Sequence, residues 1–83
     1  MNKDILIRNI DKLHTTVLGK ERIKNNLMIK TNDIIEYCKN IIVNENNIIY
    51  KKGKNYYCET NKEIITINSY NYSIITAHKK EKN

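Results

Sequence analysis

Residues 63–80 read Glu63-Ile64-Ile65-Thr66-Ile67-Asn68-Ser69-Tyr70-Asn71-Tyr72-Ser73-Ile74-Ile75-Thr76-Ala77-His78-Lys79-Lys80, two β-branched runs either side of a short polar link. Ile, Thr and Tyr suit a pleated, half-buried surface, so Ile64–Asn68 and Tyr72–His78 are expected as the strands of a β-hairpin. Ser69, Tyr70 and Asn71 supply the turn, with Asn71 the expected left-handed residue. A three-residue loop with a bulge would set Ile67 opposite Ser73, Ile65 opposite Ile75 and Glu63 opposite Ala77. Ile65, Ile67, Ile75 and Ala77 then face a core. Ile64, Thr66, Asn68, Tyr72, Ile74, Thr76 and His78 take the other face, which is half polar and closes on a histidine followed by lysines.

Working back from this hairpin, the period-2 pattern extends to about Asn47. Asn47–Lys51 and Tyr56–Thr60 read as strands joined by Lys52-Gly53-Lys54-Asn55, and Asn61-Lys62 turns into the hairpin. Before Asn44 the spacing is helical. Thr31 is a good N-cap, and Ile34, Ile35, Cys38, Ile41 and Ile42 recur on one stripe. A second helix is expected from a cap at Thr15 or Thr16 to about Leu27, with Leu18, Ile23 and Leu27 apolar and Gly19 weakening its start. A first helix should run from about Lys3 to Leu13, capped by Asn2 and carrying Leu6, Ile10 and Leu13. Three helices before four antiparallel strands give an α+β fold, with the helices packed on one face of the sheet and residues 1–83 as a single domain. Ile34, Cys38, Ile41, Ile65, Ile67 and Ile75 are the expected shared core.

A chain of 83 residues buries only about 60% of its unfolded surface, so its core must be compact. Apolar content of 40% and charged content of 29% are those of an ordinary globular protein. The six tyrosines are the only aromatic residues, and Asn, Ile and Lys abound without proline. That bias fits A/T-rich coding and a bacterial or phage source. The net charge of +6 is spread along the chain, a diffuse field that favours polyanions, nucleic acid first and acidic protein surfaces second. Cys38 and Cys58 form no C-x-x-C pair and read as reduced core residues. No apolar run follows Met1-Asn2-Lys3-Asp4 and no stretch approaches a membrane-spanning length, so the expected setting is the cytoplasm, without a membrane partner.

Several short motifs occur in a characteristic order: Leu13-His14-Thr15-Thr16, Leu18-Gly19, Glu21-Arg22-Ile23-Lys24, Asn26-Leu27, Gly53-Lys54-Asn55-Tyr56-Tyr57 and Ile75-Thr76-Ala77-His78-Lys79. Over nearly its whole length the chain resembles a family of small bacterial proteins, domain of unknown function 3781, a resemblance that implies no activity. More distantly, helices ahead of a four-stranded antiparallel sheet with a late polar histidine resemble the architecture of the barnase and RelE class of RNases.

Metal-independent RNA cleavage needs a base for the 2′-hydroxyl, an acid for the leaving oxygen and a cation over the phosphate. If Cys58 faces the core, Tyr57 and Glu59 share the open face with His78. Glu59 would be the base, His78 the acid, and Lys54 or Lys79 the phosphate clamp. The competing reading is that Glu59 and His78 are solvated sheet residues. The two arginines, Arg8 and Arg22, both fall on expected helices, whereas the RNases resembled commonly hold the phosphate with a sheet arginine. Lys51, Lys52, Lys54, Tyr56 and Tyr57, with Tyr50, interleave rings and charges in a way that can stack unpaired bases and hold phosphates. The same pattern also describes a packed, soluble hairpin. Thr16–Leu27 is readable as the second helix of a helix-turn-helix presenting Lys20, Arg22 and Lys24, although no turn signature precedes it. His14 has no second ligand at metal spacing, and no P-loop, dinucleotide fingerprint or nucleophile elbow occurs, so no cofactor or metal is expected. The leading expectation is a small basic protein that binds nucleic acid, RNA foremost, with metal-independent cleavage of the barnase and RelE class as its enzymatic form. The alternative is a non-enzymatic phage- or plasmid-type factor whose basic surface inhibits a host protein or ribonucleoprotein.

Overall fold

The computed structural model describes residues 2–80, with the side chain of Asn2, and therefore its expected cap, outside the described part. Along these residues the order is α1 (Asn2–Arg8), a 3₁₀ turn (Ile10–Lys12), α2 (Val17–Leu27), α3 (Ile34–Val43), β1 (Ile48–Lys52), β2 (Asn55–Glu59), β3 (Glu63–Asn68) and β4 (Ile74–Lys79). The strands form one antiparallel sheet in the order β1-β2-β3-β4. This is the expected α+β class, with the helices N-terminal to the sheet.

The helices differ from expectation at their ends. The first is cut at Asn9, whose carboxamide donates to Ile5 O at 2.9 Å, and the chain continues as a 3₁₀ turn to Lys12. A side chain bonding the carbonyl four residues back competes with the helical ladder. Thr16 caps α2 by accepting from Gly19 N at 2.9 Å. Asp33, not Thr31, caps α3, accepting from Glu36 N at 3.2 Å, while Thr31 Oγ1 takes the amide of Asp33 itself.

One cluster of buried side chains holds the molecule together. Leu6, Leu13, Ile23, Leu27, Ile34, Cys38 and Ile42 from the helical half meet Tyr56, Cys58, Ile65, Ile67, Ile74 and Ala77 from the sheet. Each buried Leu or Ile contributes about 1.5 to 3 kcal/mol of transfer free energy. Burial holds both thiols protonated, pushing Cys38 up to about 12 and Cys58 to about 11. Leu18, expected on the apolar stripe of α2, is 75% exposed, because only Ile23 and Leu27 of that helix point inward.

The β1–β2 link is shorter than read from the sequence, a two-residue turn of Gly53 and Lys54 between Lys52 and Asn55. Gly53 has φ +62°, the positive value that a two-residue hairpin turn asks of its first position. The β3–β4 hairpin departs further. Asn68 N donates to Ser73 O at 2.8 Å, leaving Ser69–Tyr72 as a four-residue loop. Asn68 Oδ1 accepts from the amides of Tyr70 and Asn71, and Asn71 Oδ1 accepts from Ser73 N. The left-handed residue is therefore Tyr72, at φ 61°, and not Asn71. So bulky a residue in that region costs of order 1 to 3 kcal/mol, which the Asx bonds around it offset.

Register follows from this loop. Ile67 pairs with Ile74, Thr66 with Thr76, Ile65 with Ala77, Ile64 with His78 and Glu63 with Lys79, with a shift between Thr66 and Ile67 that leaves Ile75 as the extra residue. Relative to expectation, the partners of Ile65 and Glu63 move by two residues, which preserves faces, so Ala77 stays buried and His78 exposed. Before the bulge the displacement is by one, and faces exchange. Ile74 enters the core at 2% exposure and Ile75 is 45% exposed, the reverse of the sequence reading. Ile41 is half-buried against the core and not within it.

Candidate nucleic-acid interface

Alternation along β2 buries Tyr56 and Cys58 and sends Asn55, Tyr57 and Glu59 to the opposite face. Pairing extends that face in rows, Ile48–Glu59–Ile64–His78 at one end and Tyr50–Tyr57–Thr66–Thr76 beside it. The rings of Tyr50 and Tyr57 stack at 5.4 Å between centroids. Thr66 is only 7% exposed.

Glu59 and His78 thus share a face and a row, but Ile64 stands between them. Two strand spacings separate their Cα atoms by about 10 Å. The Glu59 carboxylate accepts from Tyr50 OH and pairs with Lys80 Nζ at 3.1 Å. The Tyr50 hydrogen bond, then Lys80, holds it below the usual carboxylate range, and the same bond raises the Tyr50 phenol. A carboxylate stabilised in this way is a weak proton acceptor. His78 directs Nδ1 at Lys79 O, 3.3 Å away, leaving Nε2 toward solvent.

Lys54 is not with them. It sits in the β1–β2 turn, five residues from Glu59 along an extended strand, so the two Cα atoms lie about 16 Å apart. The expected trio of Glu59, His78 and Lys54 is therefore split between the two ends of the sheet. Lys79 points to the other face from His78, its Nζ 3.7 Å from Met28 Sδ. The cation that does reach Glu59 is Lys80, which the sequence reading left out.

The lysine end has its own structure. Ser69 N donates to Lys54 O at 2.8 Å, tying the β3–β4 loop to the β1–β2 turn. Lys51 Nζ lies 6.0 Å above the ring of Tyr70, itself 73% exposed, and Lys12 Nζ lies 5.7 Å from the ring of Tyr72. Lys52 and Lys54 are exposed beside them. Residues 51–57 and 67–75 contain no Asp or Glu. Tyr56 leaves the expected set, because its ring is 4% exposed within the core and cannot receive a base. Tyr70 and Lys12 enter it. An aromatic residue at the tip of a polar turn was the available signal for Tyr70; Lys12 had none, since only folding brings the 3₁₀ turn to this end.

At the far end an open groove of about 360 Å³ is lined by Ile41, Asn44, Thr60, Lys62 and Glu63, among others. Thr60 Oγ1 and Tyr37 OH donate to the Glu63 carboxylate at 2.7 and 3.3 Å. With Glu59 close by along the chain, this end suits a phosphate less than the lysine end does. Among the described residues no three His, Cys, Asp or Glu side chains gather as metal ligands, and no helix is long and apolar enough to cross a membrane.

Apart from Gly53–Tyr57, which forms the β1–β2 turn and β2, the motifs singled out in the sequence converge where α2 meets β4. His14 and Ser73 form a parallel bridge, with Ile74 N donating to His14 O at 2.7 Å and His14 N to Tyr72 O at 3.3 Å. Thr15 Oγ1 donates to Ile74 O at 3.1 Å, Thr16 caps α2, and Asn26 Nδ2 donates to Ala77 O at 3.2 Å. A Cβ at Gly19 would collide with Thr15 Oγ1 unless that hydroxyl gave up its bond to Ile74 O. These residues cover the outer edge of β4, which would otherwise present unpaired backbone groups. No curated protein and no solved structure matches the chain. One family model, described as Protein of unknown function (DUF3781), matches residues 7–78, and the chain belongs to that family.

Proposed function

We propose that the protein binds single-stranded nucleic acid, RNA foremost, through the lysine end of its sheet, in the cytoplasm and without cleaving it. The observation that carries this reading is the side-by-side placement of the two turns, which gathers Lys51, Lys52, Lys54 and the exposed Tyr70 ring in a region free of carboxylates. Lysines hold backbone phosphate and an exposed ring stacks a base without demanding its identity. The face carrying the stacked Tyr50 and Tyr57 continues the surface on the side of Lys52, while Lys51 alternates to the face of its partner Tyr56. In this reading the helices cover only the opposite face, a view supported by their sharing one cluster with Tyr56, Cys58, Ile65, Ile67 and Ala77. Binding without cleavage is favoured by the distance of Lys54 from Glu59 and by the commitment of the Glu59 carboxylate to Tyr50 and Lys80.

The test is binding of a fluorescent single-stranded RNA across a salt series. Replacing Lys51, Lys52 and Lys54 with Gln should flatten the plot of log K against log salt by roughly 0.7 per lost contact. Tyr70→Ala should weaken binding at fixed salt by about 1 to 3 kcal/mol. An unchanged slope in the triple variant refutes the site. Absence of RNA binding together with capture of an acidic protein by the same lysines would replace it with the protein-partner reading.

A further inference from the structure

Once the edge of β4 is accounted for, two exposed motif residues beside it can meet an anion, Arg22 and His78. We propose that they form a phosphate-binding site on the seam where α2 runs along β4, with the Thr76 hydroxyl beside them. This deepens the nucleic-acid reading by adding a second phosphodiester contact, and it rests on that reading for the source of the phosphate.

Placement comes from three observations. Asn26 touches β4 at Ala77 O, between Thr76 and His78. Arg22 lies one turn earlier on the same flank of α2, with Cβ atoms of such a pair about 5 to 6 Å apart. Going back along α2 from Asn26 also means going back along β4 from Ala77, since Thr15 and the start of the helix meet Ile74. Arg22 is therefore level with Ile75 and Thr76, where the bulge sits. Bulges re-aim side chains at such places. His78 and Thr76 project from the face beyond this edge, and both Arg22 and His78 are exposed.

The chemistry is that of an anion. A guanidinium presents a planar fork that matches two phosphate oxygens. The His78 ring, with Nδ1 toward Lys79 O, leaves Nε2 for the same ligand, to which it donates when both ring nitrogens carry protons. β4 carries no carboxylate, Glu59 in the His78 row is two strands away and already engaged by Tyr50 and Lys80, and Glu21, the only acid on α2, is about 100° round the helix from Arg22, on the side away from Asn26. Among the described residues the ion pairs are Lys39–Asp11 and Lys80–Glu59, so Arg22 is engaged in neither.

His14 supplies an internal control, since its exposed ring turns Nδ1 to Lys12 O at 2.8 Å. The experiment is an NMR titration of the full chain with inorganic phosphate against chloride at matched ionic strength, following the ring resonances of both histidines. The expected result is a saturable shift at His78 with His14 unmoved. Arg22→Gln should weaken that phosphate affinity at least tenfold and Arg22→Lys less, while Gln at Lys51, Lys52 and Lys54 leaves it unchanged. Parallel, non-saturating shifts at both histidines, or an Arg22→Gln protein that behaves as wild type, overturn the proposal. A saturable His78 shift in a protein that binds no RNA would sink the RNA reading alone and leave the phosphate site standing.

Discussion

The exchange of Ile74 and Ile75 is the sharpest test of the fold, because the two neighbours have the same side chain and opposite surroundings. Truncation to Ala removes three carbons, each worth about 0.8 kcal/mol when fully buried. Ile74, 2% exposed, should lose about 2.4 kcal/mol of transfer free energy plus a cavity contribution, within the usual 2 to 5 kcal/mol range. Ile75, 45% exposed, keeps a little over half of its surface from water and leaves no closed cavity, so its truncation should cost about 1.3 kcal/mol. For a domain of this size each kcal/mol moves Tm by about 4 to 8 °C, making the difference between the variants at least several degrees. Urea unfolding followed by circular dichroism measures both, and equal m-values show that the comparison is of stability alone. If Ile75→Ala costs as much as Ile74→Ala, the bulge is misplaced, and with it the face assigned to every residue before Thr76.

Three other outcomes follow from the same geometry. Stability should be flat around neutrality and fall as pH climbs from about 9 through 11 and 12, because the unfolded thiols ionise first while burial keeps Cys38 and Cys58 protonated in the fold; a pH series of urea midpoints that does not fall faster for wild type than for a Cys38→Ala, Cys58→Ala chain would contradict this. Tyr50→Phe should raise the Glu59 carboxyl titration seen by carbon-detected NMR, and an unmoved midpoint would show that the phenol does not hold it down. Gly19→Ala should destabilise despite alanine's advantage in helices of about 1 kcal/mol, and should turn less harmful in a Thr15→Ala background; equal effects in both backgrounds would remove Thr15 as the neighbour that demands glycine.

The hydrophobic period carried most of the fold. Ile34 and Cys38, Ile65 and Ile67, and the alternation through Tyr56 and Cys58 were legible because each follows from spacing alone. What spacing could not supply was the loop between β3 and β4. Whether Ser69–Asn71 or Ser69–Tyr72 closes the hairpin depends on which Asx side chain takes which amide, and one residue there decides the faces of Ile74 and Ile75. The misplaced partnership of Lys54 with Glu59 and His78 has a different origin. In a meander of four strands the first and third turns share one end and the second takes the other, so a residue in the β1–β2 turn cannot join residues that flank the β2–β3 turn. The strand order by itself carries that constraint. Arg22 reads from the sequence as a helix residue remote from the sheet, and nothing in the sequence says that this helix runs along β4.

The chain's charge is spread evenly in sequence but not in space, and the meander is the reason. It sets Lys51, Lys52 and Lys54 at one end and Glu59 and Glu63 at the other, while α2 carries Arg22 to the far edge. The two proposed phosphate contacts are then separated by three strand spacings across the sheet and, from Lys52 to His78, four residues along it, about 20 Å in all. One nucleic-acid strand can engage both only when it is long enough to cross the face bearing Tyr57 and Thr66. Affinity should therefore rise in a step with oligonucleotide length, since the second contact is made at the high effective concentration set by the first. Arg22→Gln should abolish the step while leaving the affinity of the shortest binding oligonucleotide unaltered, and the triple lysine variant should weaken every length. A smooth rise with length in wild type, or a step that survives Arg22→Gln, would mean that the two sites are not bridged by one ligand.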